Sequence, residues 1–106
     1  MDDFNWSKSE KAAARRAFDT AYQRECSAIR AKLKTMIESA SDSSGIWRIH
    51  DYLSEQRDQT DKKYDYRYSV LILVFARLLN EGWVVEGDLL GIGEDKIERI
   101  KQIANL

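Results

Sequence analysis

The chain contains no proline, and its five glycines stand at 45, 82, 87, 91 and 93. Pro and Gly are the residues that end or kink helices. Two long stretches, one before Gly45 and one between Gly45 and Gly82, therefore carry no strong breaker. A chain punctuated in this way can sustain helices well beyond the usual three turns.

The first stretch has the pattern to match. Ser7-Lys8-Ser9-Glu10 has the form of a capping box. Phe18, Tyr22, Cys26, Ile29, Leu33, Met36 and Ala40 then recur in steps of three and four, with Arg15, Arg16, Asp19, Gln23, Arg30, Lys34 and Glu38 opposite. This spacing predicts a helix over about 8 to 40, roughly 50 Å long. The small polar run from Ser39 to Gly45 reads as a turn with a new N-cap at Ser43 or Ser44.

A second long helix is expected over about 46 to 81, closed by Gly82. Its composition is uneven. Ile46, Trp47, Ile49, Tyr52 and Leu53 are apolar, Ser54 to Lys63 holds no usual core residue, and Val70 to Leu79 is apolar nearly all round. A helix of the last kind has to be buried on more than one side. A two-helix hairpin is too thin for that, so a second copy is expected to supply the cover. Ile29, Leu33, Val70, Leu73, Val74, Phe75 and Leu78 are then the expected dimer or core contacts. The alternative is that the C-terminal segment folds back over Val70–Leu79 and leaves a monomer.

Residues 83–106 read as a small helical head. Glu86-Gly87-Asp88 is a turn, Gly91-Ile92-Gly93 a break, and Glu94 to Ala104 a short amphipathic helix carrying Ile97, Arg99 and Ile100. The expected architecture is all-α: two long helices in an elongated homodimer (1–82), plus the head (83–106).

Several function classes are excluded early. Seventeen Lys+Arg against eighteen Asp+Glu leave a net charge of −1, which argues against nucleic-acid binding or membrane attachment by bulk charge. One Cys forms no internal disulfide, and with a single His it makes no usual zinc site. Met1-Asp2-Asp3 is unlike a secretory signal, and no apolar run approaches the roughly 20 residues of a membrane span. A cytoplasmic protein without cofactor or metal is expected.

Catalytic groupings are equally thin. His50 and Asp51 are adjacent, which on a helix sets them about 100° apart and makes them poor partners. Cys26 sits in an apolar stripe, and Asp58, Asp61 and Asp65 lack calcium-loop spacing, Asp58–Lys62 being better read as an i,i+4 pair. An enzyme is not expected. Gly91-Ile92-Gly93 before a helix has the rhythm of a helix-hairpin-helix, but Glu94 and Asp95 stand where a DNA phosphate would bind. The alternation Tyr64, Tyr66, Tyr68 is read as packing rather than base stacking.

One stripe stands out. Trp47, His50, Asp51, Ser54 and Arg57 lie along one side of the second helix. Trp and Arg are the residue types that dominate binding hot spots. Pattern alone leaves the stripe balanced between a binding face and a packed Trp beside ordinary solvated groups.

The residues themselves then become recognisable. Trp47-Arg48-Ile49-His50-Asp51-Tyr52-Leu53-Ser54-Glu55-Gln56-Arg57, Asp61-Lys62-Lys63-Tyr64-Asp65-Tyr66-Arg67 and Val74-Phe75-Ala76-Arg77-Leu78-Leu79-Asn80-Glu81-Gly82 resemble the fluorescence recovery protein family of cyanobacteria. Trp6-Ser7 and Phe18-Asp19-Thr20-Ala21-Tyr22-Gln23-Arg24-Glu25 fit the same resemblance, which runs over nearly the whole chain. It implies an all-α dimer that binds the light-activated red form of the orange carotenoid protein, mainly through that protein's C-terminal domain. It further implies faster return to the orange form and release from the phycobilisome, ending photoprotective quenching. By that resemblance Trp47, His50, Asp51 and Arg57 form the partner-binding patch. A second reading keeps the helical dimer as a scaffold for a different protein partner.

Overall fold

The computed structural model of the protein describes residues 5–106; the acidic Met1-Asp2-Asp3 start lies outside them. The described residues form four helices, α1 (Lys8–Ser39), α2 (Ser43–Lys63), α3 (Leu71–Glu81) and α4 (Glu94–Ala104), with a short 3-10 turn at Glu86–Leu89. The molecule is elongated, 53 × 26 × 25 Å along its principal axes.

Local chemistry sets most of the helix ends. The Ser7 hydroxyl accepts from the Glu10 amide at 3.1 Å, and the Glu10 carboxylate accepts from the Ser7 amide at 2.9 Å, completing the capping box. Gly82, at φ 86°, closes α3 in the left-handed conformation that suits glycine. The cap of α2 is Asp42, not Ser43 or Ser44. Its carboxylate accepts from Ser44 Oγ at 2.7 Å and from the Gly45 amide at 3.0 Å, and these bonds hold its pKa below the ordinary value. A carboxylate there also gains from the positive end of the helix.

The second long helix expected over 46 to 81 is in fact two. The chain leaves helical geometry after Lys63 and regains it at Leu71. Three tyrosines explain the break. In a helix, residues 64, 66 and 68 would point to different sides; in extended chain they share one side. Extended, they line α1 with rings: Tyr64 lies edge-on to Phe18 at 5.4 Å and Tyr22 at 5.0 Å, Tyr66 to Phe18 at 4.8 Å, and Tyr68 beside Trp6 at 5.8 Å. Arg15 stacks over Tyr66 at 4.4 Å and Lys11 over Tyr68 at 5.0 Å. Each such pair is worth about 0.5–1.5 kcal/mol. Intrinsic helix preference supplies only a few tenths per residue, so the rings win.

The break lets α3 pack on both α1 and α4. Leu71, Val74, Phe75 and Leu78 are buried in the single chain, Val70 is half-buried, and Leu73 alone of the expected contacts on this run stays largely exposed at 58%. The C-terminal segment thus folds back over Val70–Leu79, and no second chain is needed to surround it. One core runs from Trp6 and the alanine face of α1 (Ala13, Ala14, Ala17, Ala21) through α3 to Val84, Leu89, Ile92 and Ile100. It is continuous across residue 82. The buried face of α1 is accordingly turned away from the expected Tyr22–Cys26 line: Tyr22 is 40% exposed and Cys26 half-buried.

Alanines on α1 allow close approach. Gly91 sits at φ 99°, and a Cβ added to it would lie 2.8 Å from the Ala13 methyl. Gly93 donates its amide to Glu10 Oε2 at 2.7 Å, and Lys96 Nζ reaches the same oxygen at 3.0 Å. The Glu10 carboxylate therefore occupies the start of α4, where a DNA-binding hairpin would hold its phosphate.

Candidate functional site

Every buried residue of α1 lies between Ala13 and Glu25, and α2 buries only Gly45, Thr60 and Lys63. The C-terminal half of α1 and most of α2 thus form a two-helix arm without a closed core. Ile29, Leu33, Met36, Ile49 and Tyr52 are half-buried along it, while Ile37 (57%), Ile46 (60%), Trp47 (64%) and Leu53 (38%) are exposed. Along α1 an open groove of about 570 Å³ is lined by Ser27, Arg30, Ala31, Leu33, Lys34, Ile37 and Glu38.

Trp47, His50, Asp51 and Arg57 all lie on α2 and all are exposed. The Trp47 ring meets the His50 ring edge-on at 6.3 Å. His50 Nδ1 and Asp51 Oδ1 approach to 3.4 Å, at the long limit of a hydrogen bond, so these neighbours do touch, but weakly. Arg57 Nε lies 3.4 Å from Asp61 Oδ2 with its side chain 83% exposed. Asp58 and Lys62 form the expected i,i+4 pair at 3.0 Å. An aromatic face, an imidazole and a carboxylate thus stand exposed near the start of α2, with an exposed guanidinium about 15 Å further along the helix. That geometry suits recognition of another protein surface; acid–base chemistry needs a shielded cleft. Among the described residues no group of His, Cys, Asp and Glu could hold a metal ion, and no helix is long and apolar enough to cross a membrane.

The head residues are split by the fold: Ile100 is fully buried against the core, and Ile97 and Arg99 are half-buried on α4. Sequence reasoning missed Ile46 and Leu53, which share the exposed surface of α2. It also missed the junction where the arm meets the body. There Lys63 Nζ lies 2.6 Å from Glu25 Oε2 and 2.7 Å from Glu81 Oε1. The Tyr64 hydroxyl donates to Glu25 at 2.8 Å, and Trp83 Nε1 and Arg77 Nε donate to Glu81 at 3.1 and 2.8 Å. Burial pushes the Glu81 carboxyl up, but its bonds to Lys63 and Arg77 prevail and hold it below the usual range. Burial and the Glu25 charge push the Tyr64 phenol strongly up, so it stays a donor. One signal was available: Glu25 falls seven residues after Phe18 and four after Ala21, on the buried face of α1.

Known proteins share both the sequence and the geometry. The family model described as photoprotection regulator fluorescence recovery protein matches residues 6–104. The fluorescence recovery protein of Synechocystis sp. is 40% identical over 101 residues, spanning 95% of this chain and 93% of that protein. The solved structure of the Fremyella diplosiphon fluorescence recovery protein superposes with a TM-score of 0.89 at 38% identity, over 96% of this chain and all of that one. That of the Synechocystis protein gives the same TM-score at 39% identity and the same coverage. With the sequence matched from the α1 cap to the last turn of α4 and the fold matched throughout, the chain belongs to the fluorescence recovery protein family of non-enzymatic photoprotection regulators.

Proposed function

We propose that this protein binds the photoactivated red form of the orange carotenoid protein, mainly through that protein's C-terminal domain. It accelerates the return to the orange form and detachment from the phycobilisome, and so ends photoprotective quenching. The observation that carries this reading is 40% identity to a fluorescence recovery protein along nearly the full length of both chains. The exposed Trp47, His50, Asp51 and Arg57 on α2 are its contact patch.

No bond needs to be made or broken. A partner that holds the closing transition arrangement more tightly than the open red form lowers the barrier to the orange form. Each 1.4 kcal/mol of such preference is worth about tenfold in rate. One desolvated Trp with a charged neighbour supplies energy of that order.

The working form is a homodimer joined along the arms. Ile37, Ile46 and Leu53 are exposed on the arm, where a partner copy would cover them, and Ile29 and Leu33 are half-buried along it. A dimer shows the patch twice, which suits a partner whose two domains have separated. The test is titration of the purified protein into an orange carotenoid protein held in the dark and again under strong light. Tighter binding to the illuminated form is expected, and equal or absent binding in both states would overturn the reading.

A further inference from the structure

We propose that Lys63 is the positioning residue of the α2 patch: pinned between Glu25 of α1 and Glu81 of α3, it sets the rotational register of α2 and hence the direction in which Trp47, His50, Asp51 and Arg57 face. The inference rests on the function proposed above only for its last step, from register to partner engagement.

Ile49, Tyr52 and Gln56 are half-buried along α2, but between Ile46 and Gln59 none of its residues is fully buried and able to lock its rotation about its own axis. Two end points do so. At the start, Gly45 lies against Ala40 so closely that an added Cβ would fall 2.7 Å from the Ala40 methyl. At the other end, Thr60 is buried and Lys63 is 6% exposed, with its ammonium bound by two carboxylates from two other helices. The patch begins at Trp47 and ends at Arg57, so a slip at Lys63 rotates every member of it.

The charges around Lys63 balance: Lys63 and Arg77 against Glu25 and Glu81, with the Tyr64 hydroxyl and Trp83 Nε1 completing the donors. A buried ion pair of this kind adds little stability over apolar side chains of similar size. What it adds is directionality, because an ammonium between two carboxylates fits one register and an apolar side chain tolerates several. A network that only stabilised the fold and one that fixes the register therefore make different predictions.

The test replaces Lys63→Met together with Glu25→Gln, which removes one charge of each sign. Nitroxides on cysteines at Glu55 of α2 and Gln102 of α4, in a Cys26→Ser background diluted with unlabelled protein, report the distance between patch and head. The double variant is expected to keep its helical circular dichroism and its melting midpoint within a few degrees. Its label distance distribution is expected to broaden, and the concentration giving half-maximal acceleration of orange carotenoid protein recovery to rise about tenfold. An unchanged distance distribution would overturn the proposal, and so would a broadened one with unaltered recovery. If the parent protein accelerates nothing, the proposed function fails while the distances still judge the register. Should the double variant not fold, Glu81→Gln, on a half-exposed group that leaves the Lys63–Glu25 pair in place, should broaden the distribution in the same sense; no change there also overturns it.

Discussion

At the scale of single residues, Glu10 carries more than its cap. Its carboxylate accepts from the Ser7 and Gly93 amides and from Lys96, whose side chain is only 5% exposed. The Ser7 amide first, then the Lys96 and Gly93 bonds, outweigh its partial burial and lower its pKa from 4.5 to about 2. A depressed carboxylate stabilises the fold at pH values above its unfolded pKa, and that contribution fades as pH falls from about 4.5 towards about 2. Acid unfolding of the parent should therefore steepen in that window, and Glu10→Gln should flatten it. The same substitution removes one partner of a largely buried pair and should cost about 3 kcal/mol in urea unfolding. The glycines offer a matched comparison. Gly91→Ala would force a Cβ onto Ala13 at a positive φ and should cost about 1–3 kcal/mol, whereas Gly87→Ala meets nothing within 4 Å and should be nearly neutral. Equal effects at the two sites would contradict the packing described for the 91–93 turn.

At the scale of elements, what was legible in the sequence was what local chemistry decides. The Ser7–Glu10 box, the Gly82 stop and the amphipathic α4 are each fixed by residues a few positions apart, and each stands where the pattern puts it. The break between α2 and α3 was not legible, because no Pro or Gly marks it. It is decided by rings on α1 that the tyrosines reach only after folding, although their period of two was itself the trace of an extended segment. The Lys63 junction was hidden for the same reason, its carboxylates lying 38 and 18 residues away in sequence. The α2 stripe was visible as an odd combination of residue types, and its exposure became known only from the fold. Trp47→Leu should leave the melting midpoint of the isolated protein within a few degrees, because the side chain contributes little to its core. It should weaken partner binding by about 2 kcal/mol, roughly thirtyfold, in a titration. A large loss of stability with unchanged binding would place Trp47 in the fold and not in the contact patch.

At the scale of the whole molecule, the body and the arm have different needs. The body closes one core from α1, α3, the 3-10 turn and α4, while the arm leaves Ile37, Ile46, Trp47 and Leu53 in solvent. Sedimentation at micromolar concentration should therefore return about twice the 12.3 kDa of the chain. Ile46→Glu, placing a charge on the arm's exposed surface, should shift it towards a single chain without unfolding the body. The central claim is that such a dimer returns the orange carotenoid protein to its resting state. The most direct measurement converts that protein to its red form with strong light and follows its return to orange in darkness. Substoichiometric amounts of this protein should speed the return at least tenfold, each dimer acting repeatedly. A folded dimer that leaves the rate unchanged would contradict the account and point to the same scaffold serving another partner.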